Sequence, residues 1–392
     1  MICFDSRKIK PGDIFLCLPN AHPFINEALT RGAKEITHCT RQEMAKIAAD
    51  FFNNPSQTLT VIGVTGTNGK TTTTHITAHI LNLAGFKAHI IGTLSGNLTT
   101  PESIELQEIM AEKIKQGYTH IIMEVSSIGI DQHRVDHIDF DIKLLTNVTQ
   151  DHLDYHKTFE DYRNTKLYFM NNFPGKTIYP EDFAEYKIDI SLPLTGKFNY
   201  LNAQAAGKIC EELGITQEII KKGLSTATPV PGRFECINLG QDFFVFVDYA
   251  HTPDGIQNIL EGIIDFRKTH ELQGSIITVF GCGGDRDRTK RPIMGSIAEE
   301  LSDKAIITSD NPRSENPEDI ISEILKGIKD PSKIKIEADR KTAIHYAIKN
   351  AKKGDIVLIA GKGHETYQII GNQSFHFDDR EEAAIAIKGL QA

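Results

Sequence analysis

The sequence predicts an α/β protein of three consecutive domains, of which the two larger are built on parallel sheets. Two observations support this prediction. Apolar segments of strand length alternate with amphipathic segments of helix length from Thr60 onward, and a second alternation begins with "FFVFVDYA". The turn-forming strings "NPSQ" and "TPVPGRFE" separate these regions. The predicted domains therefore span residues 1–58, 59–230 and 231–392.

The first domain is the smallest. Its "GDIFLCLP" is an apolar run that predicts a strand, and "RQEMAKIAADFF" has the spacing of an amphipathic helix. The central domain opens with "TVIGVTG", a buried strand, which is followed by a helix that begins at Lys70. Further central strands are predicted at "AHIIGTL" and "THIIMEVSS", and a helix at "NYLNAQAAGKICEELG".

The third domain repeats the alternation. Its predicted strands are "FFVFVDYA", "SIITVFGCGG", "KAIITSD", "KIKIEAD" and "DIVLIAGKG", and helices such as "RPIMGSIAEELS" and "NPEDIISEILKGI" separate them. Parallel sheets bind their ligands at the carboxyl ends of the strands. We therefore expect the functional residues directly after these strands.

Composition excludes several functional classes. A net charge of -9 argues against binding to nucleic acid, which requires a basic surface, but it leaves small anionic ligands open. The six cysteines show no CxxC pair and no zinc-binding spacing, so we interpret them as buried or free thiols. The sequence contains neither a signal peptide nor an apolar run of membrane-spanning length. We expect a soluble, cytoplasmic, monomeric protein that binds neither nucleic acid nor membrane.

A glycine-rich loop, "GVTGTNGKTTTTHI", follows the first strand of the central domain. It has Val64 where the common phosphate-binding pattern has glycine, yet it keeps the glycine–lysine–threonine triplet between a strand and a helix. Backbone amides and the helix N-terminus can bind phosphates, Lys70 can reach the outer phosphates, and Thr71 can bind Mg²⁺. The alternative is a glycine-rich turn without a nucleotide. The predicted nucleotide contacts in the loop are Gly66, Thr67, Asn68, Gly69, Lys70, Thr71 and Thr72.

The string "TGTNGKTTTT" resembles the Mur ligase family and its relatives, the folylpolyglutamate synthases. The resemblance implies a three-domain Mur ligase architecture, with a central P-loop ATPase-like parallel sheet and a C-terminal Rossmann-like domain. The first domain is shortened, because the family usually has several more strands there. The implied activity is ATP-dependent amide ligation. A nucleotide-operated switch or kinase, which could share the loop, is the alternative class.

Three further residues follow strand ends or lie on the next helix: Glu124 in "MEVSS", His152 in "TNVTQDHLDYH" and Lys166 in "YRNTK". Taken alone, such a histidine is usually structural and such a lysine a solvated charge. The resemblance implies instead that Thr71 and Glu124 bind one Mg²⁺, and that His152 and Lys166 bind a second. It also implies that Lys166 carries CO₂ as a carbamate, which converts a cation into the oxygen donor that Mg²⁺ prefers.

Beyond the loop, the resemblance assigns four residues to ATP and catalysis. Asn202 in "GKFNYLNAQAA" and Arg233 in "PGRFE" are implied ATP contacts, and "VDYAHTPDG" supplies Asp248 and His251 as catalytic residues together with Lys70, Glu124, His152 and Lys166. The implied mechanism transfers the terminal phosphoryl group of ATP to a carboxylate. The resulting acyl phosphate then reacts with an amine.

Within the family, the resemblance is closest to enzymes that extend a UDP-N-acetylmuramoyl dipeptide. Folylpolyglutamate synthase, which shares the loop, and a non-catalytic binding relative are the alternatives. Hydroxyl, amide and guanidinium groups suit an anionic sugar phosphate. The implied contacts are Ser6 in "DSRKIKPGD", Thr99 and Thr100 in "TTP", and Ser126, Gln132 and Arg134 in "SSIGIDQHR".

The string "DNPR" follows the strand "KAIITSD" in the third domain. On its own it could be a proline turn that caps the next helix with Asn311. In the family it resembles the signature of members that add meso-diaminopimelate, whose far end carries a carboxylate as well as an amine. Arg313 would bind that carboxylate, Glu365 the far ammonium and Arg286 the near carboxylate. The complete implied set is Arg286, Asp310, Asn311, Pro312, Arg313, Gly361 and Glu365.

Overall fold

Three sheets follow one another along the chain, each with helices packed on it, and a short antiparallel ribbon lies near the C-terminus. The structure is a computed structural model that describes residues 1–96, 98–190, 192 and 196–391. The α/β prediction is confirmed, as are the predicted parallel sheets. No helix among the described residues is long and apolar enough to span a membrane.

The first sheet has three parallel strands in the order β1-β2-β3. Side chains alternate between its two faces, so Leu16 packs with Met44 of α2, whereas Phe15 and Cys17 pack with Ala28 of α1. Thr40 begins α2 with a capping box. The elements are β1 (Ile2–Cys3), β2 (Ile14–Cys17), α1 (Ile25–Thr30), β3 (Glu35–His38) and α2 (Arg41–Phe51).

The central sheet has five parallel strands in the order β5-β6-β4-β7-β8. Both faces are covered by helices, so its strands are almost wholly apolar. Its elements are β4 (Thr60–Thr65), α3 (Lys70–Leu83), β5 (Ala88–Ile91), α4 (Ser103–Lys115), β6 (His120–Glu124), α5 (Ser127–Asp131), β7 (Ile142–Leu145), α6 (Leu153–His156), α7 (Phe159–Asn172), β8 (Lys176–Ile178), α8 (Pro180–Ala184), α9 (Lys197–Glu212) and α10 (Gln217–Ser225).

The third sheet has the order β13-β12-β11-β14-β10-β9, and only the edge strand β9 is antiparallel. Strands β15 and β16 form the separate ribbon. The elements are β9 (Glu235–Cys236), β10 (Phe244–Asp248), α11 (Pro253–Thr269), β11 (Ile276–Phe280), α12 (Lys290–Leu301), β12 (Lys304–Ile307), α13 (Pro317–Leu325), β13 (Ile334–Ile336), α14 (Arg340–Asn350), β14 (Ile356–Ala360), β15 (Tyr367–Ile370), β16 (Gln373–His376) and α15 (Asp379–Gln391).

Two polar links position these layers. Lys143 on β7 is fully buried, and its Nζ donates to the carbonyls of Met170 at 2.6 Å and of Phe173 at 2.5 Å, which fixes the end of α7 to the sheet. Glu102, just before α4, accepts from Arg41 of the first domain at 2.7 Å and lies 3.1 Å from Arg134. This carboxylate therefore joins the first domain to the central one.

Candidate active site

The glycine-rich loop connects β4 to α3 and places its backbone at the helix N-terminus. Gly69 has φ +88°, and a Cβ atom there would lie 2.3 Å from Oδ1 of Asn202. Only glycine fits this close approach. Asn202 on α9, the implied ATP contact, thus lies against the loop. The Lys70 side chain folds onto the loop, where its Nζ donates to the carbonyls of Gly66 and Thr67, each at 2.9 Å.

Glu124 ends β6 and is 1% exposed. Its carboxylate accepts from the hydroxyl of Thr71 at 3.1 Å, and from the hydroxyl and amide of Thr93, each at 3.0 Å. These oxygens from the loop and two neighbouring segments suit a hard cation such as Mg²⁺. The residues therefore fit the predicted first magnesium site, and Thr93 is an additional polar neighbour that the sequence analysis did not identify.

Lys166 lies on α7 and is 1% exposed, with its Nζ donating to the carbonyl of Gly66 at 2.8 Å. Burial, reinforced by the nearby Lys70 ammonium, holds the pKa of Lys166 well below its usual value. Burial likewise lowers the pKa of His152, so its imidazole is neutral and able to bind a metal. A neutral amine is what carbamate formation requires. The pair therefore fits the predicted second site.

Residues of the third domain complete this region. Arg233 donates from Nη2 to the Thr71 hydroxyl at 3.1 Å, and its guanidinium lies over the Tyr249 ring at 4.4 Å. Asp248 accepts from the amides of Phe234 and Ala250, each at 2.7 Å. Burial raises the pKa of this carboxyl group, and its two backbone bonds show that it orders the chain around Arg233.

A second interdomain contact surrounds Asp151, which the sequence analysis did not single out. His251 Nδ1 lies 2.8 Å from the carbonyl of Tyr249, and its Nε2 lies 3.8 Å from Asp151. Burial lowers the pKa of His251 to about 4. Although burial alone would raise the pKa of Asp151, the adjacent His152, Lys290 and His251 lower it. Because both histidines are neutral at pH 7, Lys290, 3.8 Å away, is the cation that balances Asp151.

One cavity of about 610 Å³ joins most of these groups, since the loop, Glu124, His152 and the third-domain residues Arg233, Asp248 and His251 all line it. Lys166 is not part of this lining. The bond from Asn68 Nδ2 to Asp254 at 2.6 Å also crosses between the two domains there. The lining of the cavity includes Thr67, Asn68, Gly69, Lys70, Thr71, Thr72, Thr99, Glu124, His152, Asn202, Arg233, Asp248 and His251.

The predicted sugar-phosphate segments adjoin the Glu124 strand end. Thr100 donates from Oγ1 to the carbonyl of Glu124 at 2.9 Å, and Ser126 caps α5. Arg134 donates to the Thr100 carbonyl at 2.9 Å and to Gln132 at 2.7 Å. Thr99 lies next to Thr93, with 3.0 Å between their hydroxyls. Ser6 lies in the first domain, after β1, and donates to Glu27 at 2.7 Å.

The "DNPR" segment follows β12, and Asn316, not Asn311, caps α13. The helix-capping alternative for Asn311 is therefore wrong. Instead, Asn311 donates from Nδ2 to Glu365 at 2.9 Å, and the fully buried Lys362 donates to the same carboxylate at 3.0 Å. Burial, then repulsion by Asp310, raises the pKa of Glu365. Lys362 was not among the residues predicted from the sequence, although its neighbours Gly361 and Glu365 were.

Arg313 has φ +51° and is held by its Nη1, which donates to the carbonyls of Gly284 at 2.9 Å and of Asn311 at 3.4 Å. Among the described residues, its Nε and Nη2 have no hydrogen-bond partner. Arg286 is exposed and donates to its neighbour's carbonyl. Gly361 has φ +118° and donates its amide to the carbonyl of Asp248 at 3.1 Å.

Comparison with known proteins decides the family. Residues 64–184 match the Mur ligase middle domain, and residues 232–363 match the glutamate ligase domain of Mur ligases. The chain belongs to the Mur ligase family. It is accordingly an ATP-dependent, ADP-forming ligase.

Two curated relatives of this Mur ligase are similar over most of both chains. The protein of Caldanaerobacter subterraneus subsp. tengcongensis is 40% identical in sequence, and the alignment covers 97% of this chain and 93% of the relative. The protein of Clostridioides difficile is 41% identical, and the alignment covers the same shares of the two chains. Both are named UDP-N-acetylmuramoyl-L-alanyl-D-glutamate--2,6-diaminopimelate ligase.

Solved structures show the same three-domain architecture. A structure titled with that enzyme name is 30% identical, has a TM-score of 0.61 and covers 100% of this chain and 95% of its own. The MurF ligase of Thermotoga maritima in complex with ADP is 18% identical with a TM-score of 0.67, and covers 99% and 96%. A folylpolyglutamate synthase from Mycobacterium tuberculosis shares the fold, with 15% sequence identity and a TM-score of 0.66. The match covers 82% of this chain and 92% of the synthase.

Proposed function

We propose that this Mur ligase adds meso-diaminopimelate to UDP-N-acetylmuramoyl-L-alanyl-D-glutamate, in the synthesis of peptidoglycan precursors. Support comes from the relatives named above, which bear this activity in their names. In the proposed division of labour, residues 1–58 bind the uridine end, residues 59–230 bind ATP, and residues 231–392 bind the amino acid. We further propose that the enzyme acts in the cytoplasm as a monomer.

The proposed choice of amino acid rests on the Nε–Nη2 edge of the Arg313 guanidinium. Two carbonyls hold one side of its guanidinium, which leaves Nε and Nη2 as a fork for a carboxylate. Glu365, linked to Arg313 through Asn311, is the acceptor for the far ammonium. Lysine has no far carboxylate to fill the Arg313 fork, so it leaves a cation unpaired and is rejected.

We assign the near carboxylate to Arg286, which lies on the loop after β11. Among the residues that the structure describes, its exposed side chain is held by one backbone carbonyl, so it is able to turn towards a ligand. Asp310, Pro312 and Gly361 shape the backbone of the same site. Glu365 has a raised pKa, and an ammonium ligand would favour its charged form.

The ATP step rests on charges around the loop. Lys70 exchanges the two loop carbonyls for the outer phosphates of ATP, and Arg233 and Asn202 hold the nucleotide from opposite sides. The terminal phosphoryl group passes to a free carboxylate of the D-glutamyl residue and ADP leaves. The amine of diaminopimelate then attacks this acyl phosphate, an amide bond forms, and inorganic phosphate leaves.

Thr71 and Glu124 would hold one Mg²⁺, and His152 with a carbamate on Lys166 would hold the second. Bound there, the two ions would neutralise charge on the transferring phosphoryl group. Lys166 contributes through its suppressed pKa, because only the unprotonated amine adds to CO₂. His251, neutral beside Asp151, would help to hold the domains closed over the nucleotide.

The muramoyl dipeptide lies, in this proposal, between Ser6 in the first domain and the segment from Thr99 to Arg134. Arg134 offers its guanidinium to the anionic substrate, while Ser126 and Gln132 provide uncharged donors. Thr100 holds its own segment to the Glu124 strand end, which brings the substrate next to the predicted magnesium site.

The proposal is tested by following phosphate release from ATP with purified protein and UDP-N-acetylmuramoyl-L-alanyl-D-glutamate. Each candidate amino acid, including meso-diaminopimelate, L-lysine and D-alanine, is supplied in turn. We expect turnover with meso-diaminopimelate and a kcat/KM for L-lysine at least a hundredfold lower, roughly the cost of leaving the half-buried Arg313 guanidinium without its carboxylate partner. Equal use of L-lysine would exclude the assignment. Turnover of folate substrates with glutamate would replace it with the folylpolyglutamate alternative.

A further inference from the structure

A cysteine and two histidines converge in the first domain, away from the ATP cavity. The ligand atoms of Cys17, His22 and His38 all lie within 4.8 Å of one another. Two of the three residues come from adjacent strand ends, since Cys17 on β2 pairs with His38 on β3. Paired residues of neighbouring strands point to the same face of a sheet. His22 reaches that face from the 3₁₀ turn Pro19–Phe24, which directly follows β2.

From this convergence we propose that Cys17, His22 and His38 form a binding site for Zn²⁺. One thiolate and two imidazoles are ligands that zinc favours and that Mg²⁺ and Ca²⁺ do not. Neighbouring ligand atoms in a tetrahedral zinc site lie roughly 3.5 Å apart. The cluster therefore needs to contract by about 1 Å, and both histidine side chains are exposed and free to turn.

The rings of His22 and His38 are available to a ligand. Neither ring has a hydrogen-bond partner among the described residues, and their nearest ring contact is with each other, stacked at 4.9 Å between centroids. Within the described part of the chain, the hydrogen-bonding contact of the Cys17 thiol is a long one, at 3.7 Å from the carbonyl of Leu18. All three ligand atoms are thus uncommitted. A fourth position is left for water.

Zn²⁺ binding requires the Cys17 thiol to lose its proton. The proton is released to the solvent as the sulfur–zinc bond forms. Burial raises the pKa of Cys17, so zinc affinity should increase with pH. The bound ion would join β2, β3 and the Pro19–Phe24 turn. A domain of this size has little apolar core, and small domains commonly depend on such cross-links.

The spacing of the sequence did not reveal this cluster. The cysteines form no zinc pattern, and His38 lies 21 residues after Cys17 along the chain. Only the parallel pairing of β2 with β3 brings the two side chains together.

The test uses the full chain, stripped of metal and titrated with Zn²⁺ at neutral pH in excess Mg²⁺, which keeps the active-site oxygens occupied. We expect one Zn²⁺ per chain with Kd at or below about 1 µM. His22→Gln and His38→Gln should each weaken binding roughly a hundredfold or more, because even indirect partners of a metal cost 10–100-fold when removed. Both side chains are exposed, so these variants should fold normally.

Co²⁺ provides a second measurement. The wild type should show thiolate-to-cobalt charge transfer, which Cys17→Ser should abolish. Cys39→Ser is the matched control, because Cys39 is a buried neighbour on the opposite face, packed with Leu16 and Met44. The proposal fails if the double variant His22→Gln/His38→Gln binds Zn²⁺ as tightly as the wild type. It also fails if Cys39→Ser, rather than Cys17→Ser, removes the cobalt signal.

Discussion

Arg313→Ala should reduce the use of meso-diaminopimelate without affecting ATP. Arg313 is held on one side by the carbonyls of Gly284 and Asn311, so the free Nε–Nη2 edge has a fixed direction. The truncation removes this fork and leaves the loop, Lys70 and Glu124 untouched. The loss should therefore appear in the amino-acid step alone.

The size of the effect follows from the two donors on that edge. Hydrogen bonds to a charged group contribute about 1.5–3 kcal/mol, and two that share one carboxylate should give about 3 kcal/mol together. At about 1.4 kcal/mol for each factor of ten, kcat/KM for meso-diaminopimelate should fall roughly 150-fold. Arg313→Lys retains the charge but loses the fork, so a loss of roughly tenfold is expected.

The assay is phosphate release with the amino acid varied, followed by the same assay with ATP varied. Arg288→Ala is the matched control, because Arg288 is an exposed arginine of the same region that pairs with Glu323. Its kinetics should match the wild type. An Arg313→Ala variant that used meso-diaminopimelate within threefold of the wild type would refute the assignment, as would an equal rise in its KM for ATP.

Three further outcomes are expected. Lys166→Ala should lower kcat at least a thousandfold with little change in melting temperature, and a short-chain carboxylate should restore part of the phosphate release. Lys70→Ala should abolish acyl-phosphate formation, measured by trapping with hydroxylamine, while calorimetry shows unchanged binding of the UDP-substrate. Burial lowers the pKa of His251 to about 4, so the unfolded chain, at about 6.5, takes up this proton first as pH falls. Stability should be full above pH 6.5 and decline towards pH 4, and His251→Gln should make the decline in melting temperature less steep.

Each of these three predictions would be contradicted by a specific result. Near-normal turnover by Lys166→Ala would remove the carbamate from the mechanism. Loss of UDP-substrate binding in Lys70→Ala would show that the two ligands do not have separate surfaces. A His251→Gln variant with an unchanged slope of melting temperature against pH would show that this histidine is not held neutral by burial.

The sequence predicted the sheets well because their strands are buried on both faces. Runs such as "TVIGVTG" and "DIVLIAGKG" are apolar over most of their length and end at glycines, so the hydrophobic pattern and the turn signals predict the same strands. The ribbon of β15 and β16 was missed because most of its residues are exposed and show no apolar pattern. Its role is visible only in the structure, where Arg313 bridges to Ile370.

The candidate site could be predicted from the sequence where its residues share one motif. Lys70 and Thr71 lie in the loop itself, whereas Asp151 and Lys290 come from different domains and meet only after folding. Lys362 was missed for another reason. A lysine is normally exposed, and only the burial of this one beside Glu365 distinguishes it.

The position of Glu102 means that truncating the first domain would also change the central domain. The same carboxylate pairs with Arg41 in the first domain and with Arg134, which is assigned to the muramoyl substrate. A chain trimmed of residues 1–58 would lose Arg41, and Glu102 would then be free to draw the Arg134 guanidinium closer. The remaining two domains would thus hold an altered substrate pocket as well as lacking the proposed uridine contacts. Kinetics measured on such a fragment would describe a different enzyme from the intact one.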